Sequence, residues 1–459
     1  LMKGRQMALA HKKLDVRNVF DNIRKLTEMQ GAGAVNRKIG LVAELLNNAT
    51  PEEARFIVRT VLGELRVGVA DGVLRDAIAR AYGIDARDVE KSFDILVDYA
   101  DVAQRAREGK FGTLCLGVGK PFRVMLSIKV DTIEEAFKAV GKPALLEFKL
   151  DGFRVQIHKD SKEIKLFTRR LENVTQQFKE VLPLIEKYVK ARECILDSEF
   201  VGYDSKTGRY LPFQHISQRI KRKYDIDTIA KKIPVEVNVF DIVHYNGKDL
   251  MDVPQNERRS ILEKIIKEHG KKIVLTKKLV AEDEKKAMLF FKEALRLGHE
   301  GLMIKNLRGI YQPGKRVEGW VKLKNIREPL DLVIVKAEWG EGKRVQWLTS
   351  YTVACKDGDG FIEVGKVSTG VKEKYEGLTY KEMTGLLKRY IISEKGKEVV
   401  LKPAVVIEVA YEEIQKSPTY SSGFALRFPR VLRNRTDEKS INDINTLKDI
   451  GRFYRQQKK

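Results

Sequence analysis

The sequence contains little cysteine or histidine. Its three cysteines (Cys115, Cys194 and Cys355) are far apart in the chain, and its six histidines form no cluster. This distribution excludes a disulfide framework and a zinc site built from four cysteines, and it indicates a reducing, intracellular compartment. The sequence shows no internal repeat and no low-complexity stretch.

Long apolar runs are missing as well. No run approaches the about 18 residues that a membrane span requires, and the chain does not open with a secretory signal pattern. We therefore expect a soluble protein.

Charge, in contrast, is abundant and mostly positive. Charged residues make up 33% of the chain, compared with about 25% in an average globular protein, and the formal net charge is +23. Hydrophobic residues, at 43%, are numerous enough to build folded cores, which excludes a mainly disordered chain. The positive excess favours a polyanionic partner, nucleic acid first and an anionic membrane surface second.

The chain of 459 residues is too long for one ordinary core, and its patterns predict three domains. Residues 1–118 are predicted to be helical, because apolar residues recur at spacings of three and four, and because Thr50 and Pro51 form a helix start. Residues 119–327 alternate between strands and helices, with a hairpin predicted around residues 155–166 and helices at 178–189 and 287–297.

Residues 328–459 are predicted to form short strands with turns between them. The predicted strands are 332–335, 348–354, 362–367 and 405–409, and one helix is predicted near 381–391. About five strands with a single helix in about 130 residues indicate a small β-barrel of the OB-fold type, followed by a C-terminal helix. The fold class is therefore multidomain, with an all-α segment, an α+β domain and a β-barrel domain.

Residues 147–154 (Glu-Phe-Lys-Leu-Asp-Gly-Phe-Arg) are the most informative stretch. On a strand, Glu147, Lys149 and Asp151 lie on one face, while Phe148 and Leu150 face a core. A lysine beside acids, followed by a glycine turn and an arginine, suits an amine nucleophile that attacks a phosphate ester. An ordinary amphipathic strand is the alternative interpretation of this stretch taken alone.

Further motifs follow in a defined order, at residues 168–175, 196–199, 239–241, 300–305, 311–324 and 427–430. Together with the lysine motif, they resemble the motif set of the covalent nucleotidyltransferases. The helical segment before the motifs and residues 337–342, which follow the motif at 311–324, are similar to the archaeal and eukaryotic replicative ATP-dependent DNA ligases. The resemblance covers nearly the whole chain.

This resemblance implies a role for each motif residue. Lys149 is the expected catalytic nucleophile. The expected nucleotide-binding residues are Glu147, Arg154, Arg169, Glu199, Phe240, Arg316, Lys322 and Lys324. Glu199 and Glu300 are the expected ligands of Mg²⁺, for which Mn²⁺ is expected to substitute. Arg427 and Arg430 are expected either to orient the leaving pyrophosphate or to contact DNA.

The chemistry asks for these residue types independently of the resemblance. A free lysine, with a pKa of about 10.4, is a poor nucleophile when protonated, and nearby cations favour its neutral form. Lys322 and Lys324 are two apart on a strand, so both reach one phosphate chain. Phe240 can stack on adenine, and Glu147 can accept a hydrogen bond from its exocyclic amine, which favours ATP over GTP.

The expected function is the sealing of nicks in double-stranded DNA during replication, repair and recombination. Adenylate passes from ATP to Lys149 and then to the 5′-phosphate, before the 3′-hydroxyl displaces it. The expected location is the cytoplasm of an archaeon, beside the nucleoid, or a eukaryotic nucleus. We expect a monomer without a membrane partner. Because Leu1 and Met2 open the chain, we expect an N-terminal portion to be missing, and with it a binding segment for a sliding clamp.

Other classes of protein stay open at this point. An RNA ligase or a capping-type nucleotidyltransferase would share Lys149 and its neighbours, and a non-catalytic DNA-binding protein would share the positive charge. A NAD-dependent ligase is disfavoured because the zinc-binding cysteines of that class are missing. Asp437, Glu438 and Lys439 stand where the resembled family has a tighter Asp-Lys pair, which leaves the role of Lys439 open.

Overall fold

The computed structural model describes residues 13–29, 31, 33–63, 68–111, 114, 116–211, 213–220, 226–325, 327–373 and 377–457. The chain divides into two compact units, residues 1–114 and residues 115–459. Cys115 and the opening Leu1 and Met2 lie outside the described residues.

The described part of the first unit is helical, as predicted. Its helices are α1 (Val16–Glu28), α2 (Ala34–Asn48), α3 (Pro51–Val61), α4 (Asp71–Tyr82), α5 (Ala86–Leu96) and α6 (Tyr99–Arg107). The predicted start at Thr50 is confirmed: the Thr50 side chain accepts from the backbone N–H of Glu53, whose carboxylate accepts from the backbone N–H of Thr50. This reciprocal cap satisfies backbone donors that the first helical turn leaves without partners.

Two small apolar cores hold these helices together. Leu45 and Ile57 are central to the core between α1, α2 and α3. Val89, Phe93 and Val102 are central to the core between α4, α5 and α6. Each core consists of apolar residues at helical spacing, which is the pattern that predicted the helices.

The second unit begins with two sheets. The strands and helices from which they are built are β1 (Leu126–Val130), α7 (Ile133–Val140), β2 (Ala144–Lys149), β3 (Phe153–Lys159), β4 (Ile164–Thr168), α8 (Leu182–Tyr188), β5 (Cys194–Gly202), α9 (Phe213–Ile220), α10 (Ile226–Lys232), β6 (Val235–Tyr245), β7 (Lys248–Asp249), α11 (Gln255–Ile265), β8 (Ile273–Leu275), β9 (Lys278–Ala281), α12 (Glu284–Arg296), β10 (Gly301–Asn306) and β11 (Arg316–Lys324). The first sheet has the order β1-β11-β10-β2-β9, and the second has the order β4-β3-β5-β6-β7, with β8 beside β6.

The outer faces of these sheets are apolar and are covered by helices. Phe148 and Leu150 pack with α7 and α12 on the outer face of the first sheet, as the alternation in the sequence predicted. Helices α8, α9 and α11 cover the outer face of the second sheet. Because side chains alternate along a strand, the polar residues of β2, β3, β5, β6, β10 and β11 lie on the two inner faces.

Gly152 joins the two sheets where the chain passes from β2 to β3. A Cβ atom at this position would lie 2.3 Å from the carbonyl oxygen of Phe200 and 3.0 Å from Cγ of Glu199. The crossing is therefore possible only for a residue without a side chain.

The rest of the second unit is rich in strands. Its elements are β12 (Leu330–Trp339), β13 (Leu348–Asp357), β14 (Gly360–Val367), α13 (Tyr380–Lys388), β15 (Ile391–Lys395), β16 (Glu398–Leu401), β17 (Val406–Ala410), β18 (Glu413–Lys416), β19 (Phe424–Arg427), β20 (Arg430–Asn434) and α14 (Leu447–Gln456). The third sheet has the order β14-β13-β12-β16-β15, with β17 between β12 and β20, and β18 and β19 form a separate hairpin.

Three helix predictions were wrong at their ends. The helix predicted at 287–297 spans Glu284–Arg296, where Asp283 caps its start by accepting from the backbone N–H of Lys286. In the predicted helix 178–189, the regular helix starts only at Leu182, because Phe178 has non-helical φ/ψ and Pro183 favours a first-turn position. The predicted helix 381–391 ends at Lys388, and Ile391, a β-branched residue, already begins β15. The predicted hairpin around 155–166 is confirmed by the antiparallel pairing of β3 and β4.

Within the part of the chain that the structure describes, no helix is long and apolar enough to cross a membrane.

Candidate active site

A cavity of about 1120 Å³ lies between the inner faces of the first two sheets. Of the predicted site residues, all except Arg430 line it: Glu147, Lys149, Arg154, Arg169, Glu199, Phe240, Glu300, Arg316, Lys322, Lys324 and Arg427. Its volume is large enough for a nucleotide. Residues more than 270 positions apart in the sequence thus meet at one site.

Lys149 is the last residue of β2, and its side chain reaches the cavity beside Glu300. Its Nζ lies 2.8 Å from Oε2 of Glu300, and the backbone N–H of Glu300 donates to the carbonyl of Lys149. Gly301 follows with φ +146°, and a Cβ there would lie 2.1 Å from the carbonyl oxygen of Leu323. The glycine lets β10 approach β11 closely enough to place Glu300 beside the lysine.

Two acids face this lysine in different electrostatic states. Burial raises the pKa of Glu199 to about 8, and the charge of Glu300 adds to the rise although Lys149 and Arg154 oppose it. For Glu300, burial acts in the same direction, but Lys149 and Lys324 outweigh it and lower its pKa to about 2. Glu199 is therefore a carboxylate whose charge the surrounding protein compensates poorly.

Arg154 is held firmly by a buried polar network. Its Nε and Nη2 donate to the two carboxylate oxygens of Asp197 at 2.8 and 2.5 Å, and its Nη1 donates to the carbonyl of Met125 at 2.6 Å. The hydroxyl of Tyr311 donates to Asp197 at 2.9 Å. Arg154 thus has a fixed orientation, with most of its N–H groups already used inside the protein.

Four other cations of the cavity have no acidic partner among the residues that the structure describes: Arg169, Arg170, Arg316 and Lys322. Partial desolvation and the positive charges of Arg154 and Arg316 lower the pKa of Arg169. Desolvation and the positive charges of Lys149 and Lys324 lower the pKa of Lys322. Such mutual repulsion is relieved when an anion enters, so these cations form a cradle for phosphate groups.

Aromatic rings lie on another wall of the cavity. Phe240 is half-buried on β6, and its ring centroid lies 6.2 Å from that of Trp320, which is buried on β11. The Nζ of Lys305 lies 5.0 Å from the Phe240 centroid and 4.9 Å from that of Trp320. A planar base can stack on such a surface.

The strand-rich C-terminal part contributes to the cavity through Glu412, which precedes β18, and through Arg427 and Phe428 at the end of β19. Arg427 lies between two rings, with its guanidinium carbon 5.7 Å from the Phe213 centroid and 5.3 Å from that of Phe428. Its Nη1 donates to Glu413 at 3.2 Å. Arg430, in contrast, is exposed and does not line the cavity. Lys439 pairs with Asp331 at 2.6 Å and belongs to the charged surface of the C-terminal part.

Several lining residues were not identified from the sequence. Trp320 and Lys305 lie inside motifs that were recognised, and strand alternation from Lys322 or Met303 would have placed both on the cavity face. Thr276, Glu412 and Phe428 also line the cavity. Thr276 and Glu412 carry no local pattern that distinguishes them from other polar residues.

Comparisons with known proteins show which family the chain belongs to. Sequence models match the chain at residues 1–79 (DNA ligase N terminus), 124–324 (ATP dependent DNA ligase domain) and 344–438 (ATP dependent DNA ligase C terminal region). The chain is similar to a DNA ligase of Nanoarchaeum equitans, with 51% identity over 99% of this chain and 81% of that protein. It is also similar to a DNA ligase of Thermococcus onnurineus, with 42% identity over 100% and 81%.

A solved structure designated Pmar-Lig_PreS3 covers 94% of this chain and 87% of its own, with a TM-score of 0.57 and 19% identity, which shows likeness of fold alone. The fold and the site define a nucleotidyltransferase of the ligase type, with a helical N-terminal region and a sheet-rich C-terminal part. Given identities of 51% and 42% over 99% and 100% of this chain, the chain belongs to the family of ATP-dependent DNA ligases.

Proposed function

We propose that the protein is an ATP-dependent DNA ligase that seals nicks in duplex DNA through a covalent adenylate on Lys149. The observation that carries the proposal is the position of Lys149, whose amine lies at a nucleotide-sized cavity beside cations without acidic partners. In the first step, the neutral Nζ attacks the α-phosphorus, a P–N bond forms, and the P–O bond to pyrophosphate breaks while Nζ loses a proton. The 5′-phosphate of the nick then takes the adenylate from Lys149, and the 3′-hydroxyl finally displaces AMP.

The protein assists these displacements mainly by position and charge. Arg169, Arg316 and Lys322 would hold the phosphate chain, and Phe240 would stack on the adenine. These three, like Arg170, line the cavity without an acidic partner among the described residues, so they are candidates to neutralise charge that builds up on the phosphoryl oxygens. Arg427 lies at the same cavity on a separate element, from which it can meet the pyrophosphate.

A magnesium ion fits the acids of this site. The described residues contain no cluster of three or more protein ligands, but Mg²⁺ commonly uses one or two carboxylates together with substrate phosphates. Glu199 and Glu300 are the carboxylates that would hold it, and the poorly compensated Glu199 is the observation that supports this. The ion would neutralise phosphate charge, and Mn²⁺ is expected to substitute for it.

The partner that the charge favours is nicked double-stranded DNA. A net charge of +23 supports contacts with the phosphate backbone without sequence readout, so binding should weaken steeply with salt. We assign residues 1–118 to DNA binding, 119–327 to adenylation and 328–459 to an OB-fold domain, in which the bent β12 pairs with β13 on one side and with β16 and β17 on the other. The same proposal includes roles in replication, repair and recombination, a monomeric state, a sliding clamp as a further partner, and a nucleoid or nuclear location.

The test is transfer of adenylate to the protein. The purified chain is incubated with α-labelled ATP and Mg²⁺, and the labelled residue is identified by peptide mass spectrometry. We expect an acid-labile adduct on Lys149 that is absent from Lys149→Ala and unchanged in Lys129→Ala, a control in an exposed lysine outside the cavity. A chain that never acquires the adduct, or a Lys149→Ala variant that retains it, would contradict the mechanism.

A further inference from the structure

Glu147 is buried between two cations at the cavity wall. It is 1% exposed, its Oε1 accepts from Nη1 of Arg259 at 2.7 Å, and its Oε2 lies 2.5 Å from Nζ of Lys305. Arg259 is 5% exposed and Lys305 is 2% exposed. Desolvation of three charges is costly, and a buried pair of this kind is weak as a source of stability alone. The arrangement therefore calls for a role beyond stability.

Arg259 fixes the position of Glu147 from a distant part of the chain. It lies on α11, and its Nη2 donates to the carbonyl of Thr276 at 3.0 Å, while its Nε donates to Glu263 at 3.0 Å. Three different acceptors thus constrain one planar guanidinium. A guanidinium held in this way allows Glu147 a single orientation at the cavity wall.

Lys305 holds the other oxygen from the first sheet. It lies on β10, two residues after Met303, which is directly opposite Glu147 on β2. Because its Nζ is also within 5.0 Å of the Phe240 centroid, the Glu147 carboxylate lies beside the surface on which a base would stack. A carboxylate has about four acceptor positions, and the hydrogen bond from Arg259 uses one of them, while Lys305 forms an ion pair with Glu147 without a hydrogen bond.

Thr276 supplies a second polar group on the same wall. Its hydroxyl is buried and has no hydrogen-bond partner in the structure, although Thr276 lines the cavity. A buried polar group without a partner is uncommon in folded proteins. A ring nitrogen of a bound purine would satisfy it.

We infer that Arg259 and Lys305 are positioning residues that hold Glu147 for the selection of a purine with a 6-amino group. The inference rests on the proposed function and concerns only the base. An amino group at this position donates to the remaining lone pairs of Glu147, whereas a 6-oxo group presents an acceptor to a carboxylate and is repelled. Discrimination of this type depends on the exact placement of the buried acceptor.

The experiment compares self-adenylylation with ATP, with GTP and with purine riboside triphosphate, which lacks the 6-amino group. A hydrogen bond to a charged group contributes about 1.5–3 kcal/mol, so the unmodified protein should prefer ATP to purine riboside triphosphate by about 10- to 150-fold in kcat/KM. In Arg259→Met we expect this ratio to fall to about 1–3, through a higher KM for ATP, with purine riboside triphosphate changed less than about threefold. GTP should remain a poor substrate for the unmodified protein. In Arg259→Met, the ratio of kcat/KM for GTP to kcat/KM for ATP should rise.

Two further variants separate positioning from a structural role. Arg259→Lys keeps the buried positive charge but lacks the planar guanidinium that orients Glu147. The preference for ATP over purine riboside triphosphate should therefore fall in this variant as well. Lys159→Met removes another buried lysine, which pairs with Glu186 outside the cavity, and should leave the ratio unchanged. Equal losses with both triphosphates, or an unchanged ratio in both Arg259 variants, would overturn the inference. Absence of adenylylation in the unmodified protein would instead refute the proposed function.

Discussion

Replacing Glu412 tests whether an acid of the protein competes with ATP for a cation of the cavity. The Nζ of Lys324 lies 3.0 Å from Oε2 of Glu300 and 2.9 Å from Oε2 of Glu412. Glu412 precedes β18 in the C-terminal part, and its carbonyl accepts from Nε of Arg327 at 2.9 Å. Glu412 is thus paired with Lys324, which is expected to bind phosphate. A bound nucleotide must therefore compete with Glu412 for this lysine. Glu412→Gln removes the competing charge and keeps the shape of the side chain.

The expected effect is modest because the pair is partly open to solvent. The side chains of Lys324 and Glu412 are 17% and 40% exposed, and ion pairs of this kind contribute about 0.2–1 kcal/mol. Removing the repulsion between Glu412 and a phosphate about 5 Å away adds about 1 kcal/mol at an effective dielectric constant of about 60. Together these terms amount to about 1.2–2 kcal/mol and predict a KM for ATP that is about 8- to 30-fold lower.

The measurement is single-turnover self-adenylylation across a range of ATP concentrations, at low and high salt. Glu412→Gln should lower the half-saturating ATP concentration, and the difference should shrink as salt screens the charges. Glu341→Gln is the matched control, because Glu341 pairs with Lys397 and does not line the cavity. A higher half-saturating concentration in Glu412→Gln would refute competition and would indicate that the contact assists ATP binding.

Three further predictions concern single residues. Gly152→Ala should lower the thermal midpoint strongly and abolish adenylylation, because its Cβ would lie 2.3 Å from the carbonyl oxygen of Phe200; full activity would contradict the need for glycine. Burial lowers the pKa of His158 to about 3, below the about 6.5 of an unfolded chain, so stability is lost as pH falls below about 6.5, by about 2 kcal/mol at pH 5. The free energy of unfolding in urea should fall less between pH 7 and pH 5 in His158→Gln than in the unmodified protein. Equal decreases in the two proteins would refute a contribution from His158. Phe240→Ala should raise the half-saturating ATP concentration about 5- to 150-fold, as expected for about 1–3 kcal/mol of stacking, and should affect nicked-duplex binding less; the reverse order would place the ring on DNA or in the core.

The sequence predicted the strand faces of the site because alternation is a local property. Phe148 and Leu150 are in the core of the first sheet, and Lys149 reaches the cavity, as the pattern around residue 149 indicated. The positions of Lys322 and Lys324 follow from the same rule. Alternation along a strand cannot indicate which distant segments meet. The order of the motifs supplied this information, because it assigned segments that are far apart in the chain to one site.

The hydrogen-bond and ion-pair partners of the site residues could not be predicted from the sequence. Glu147 and Arg259 are 112 positions apart, and no local pattern connects them. The same holds for Arg154 and Asp197, which are 43 positions apart. Pairing between distant residues depends on how the sheets and helices pack, so the sequence predicted Glu147 as an acceptor without revealing the cations that hold it.

The structure shows which of the predicted cations are already paired with an acid of the protein and which are not, and residue type alone does not reveal this. Arg154 is occupied by Asp197, and Lys324 is shared between Glu300 and Glu412. Arg169, Arg316 and Lys322 have no acidic partner among the residues that the structure describes. An entering triphosphate gains most from charges that it need not take from another acid, since breaking an existing ion pair offsets much of the new attraction. The initial capture of ATP should thus depend on these three cations and on Arg170, which also lines the cavity without an acidic partner among the described residues. Arg154 contributes through its fixed orientation, and Lys324 contributes only after Glu412 has been displaced.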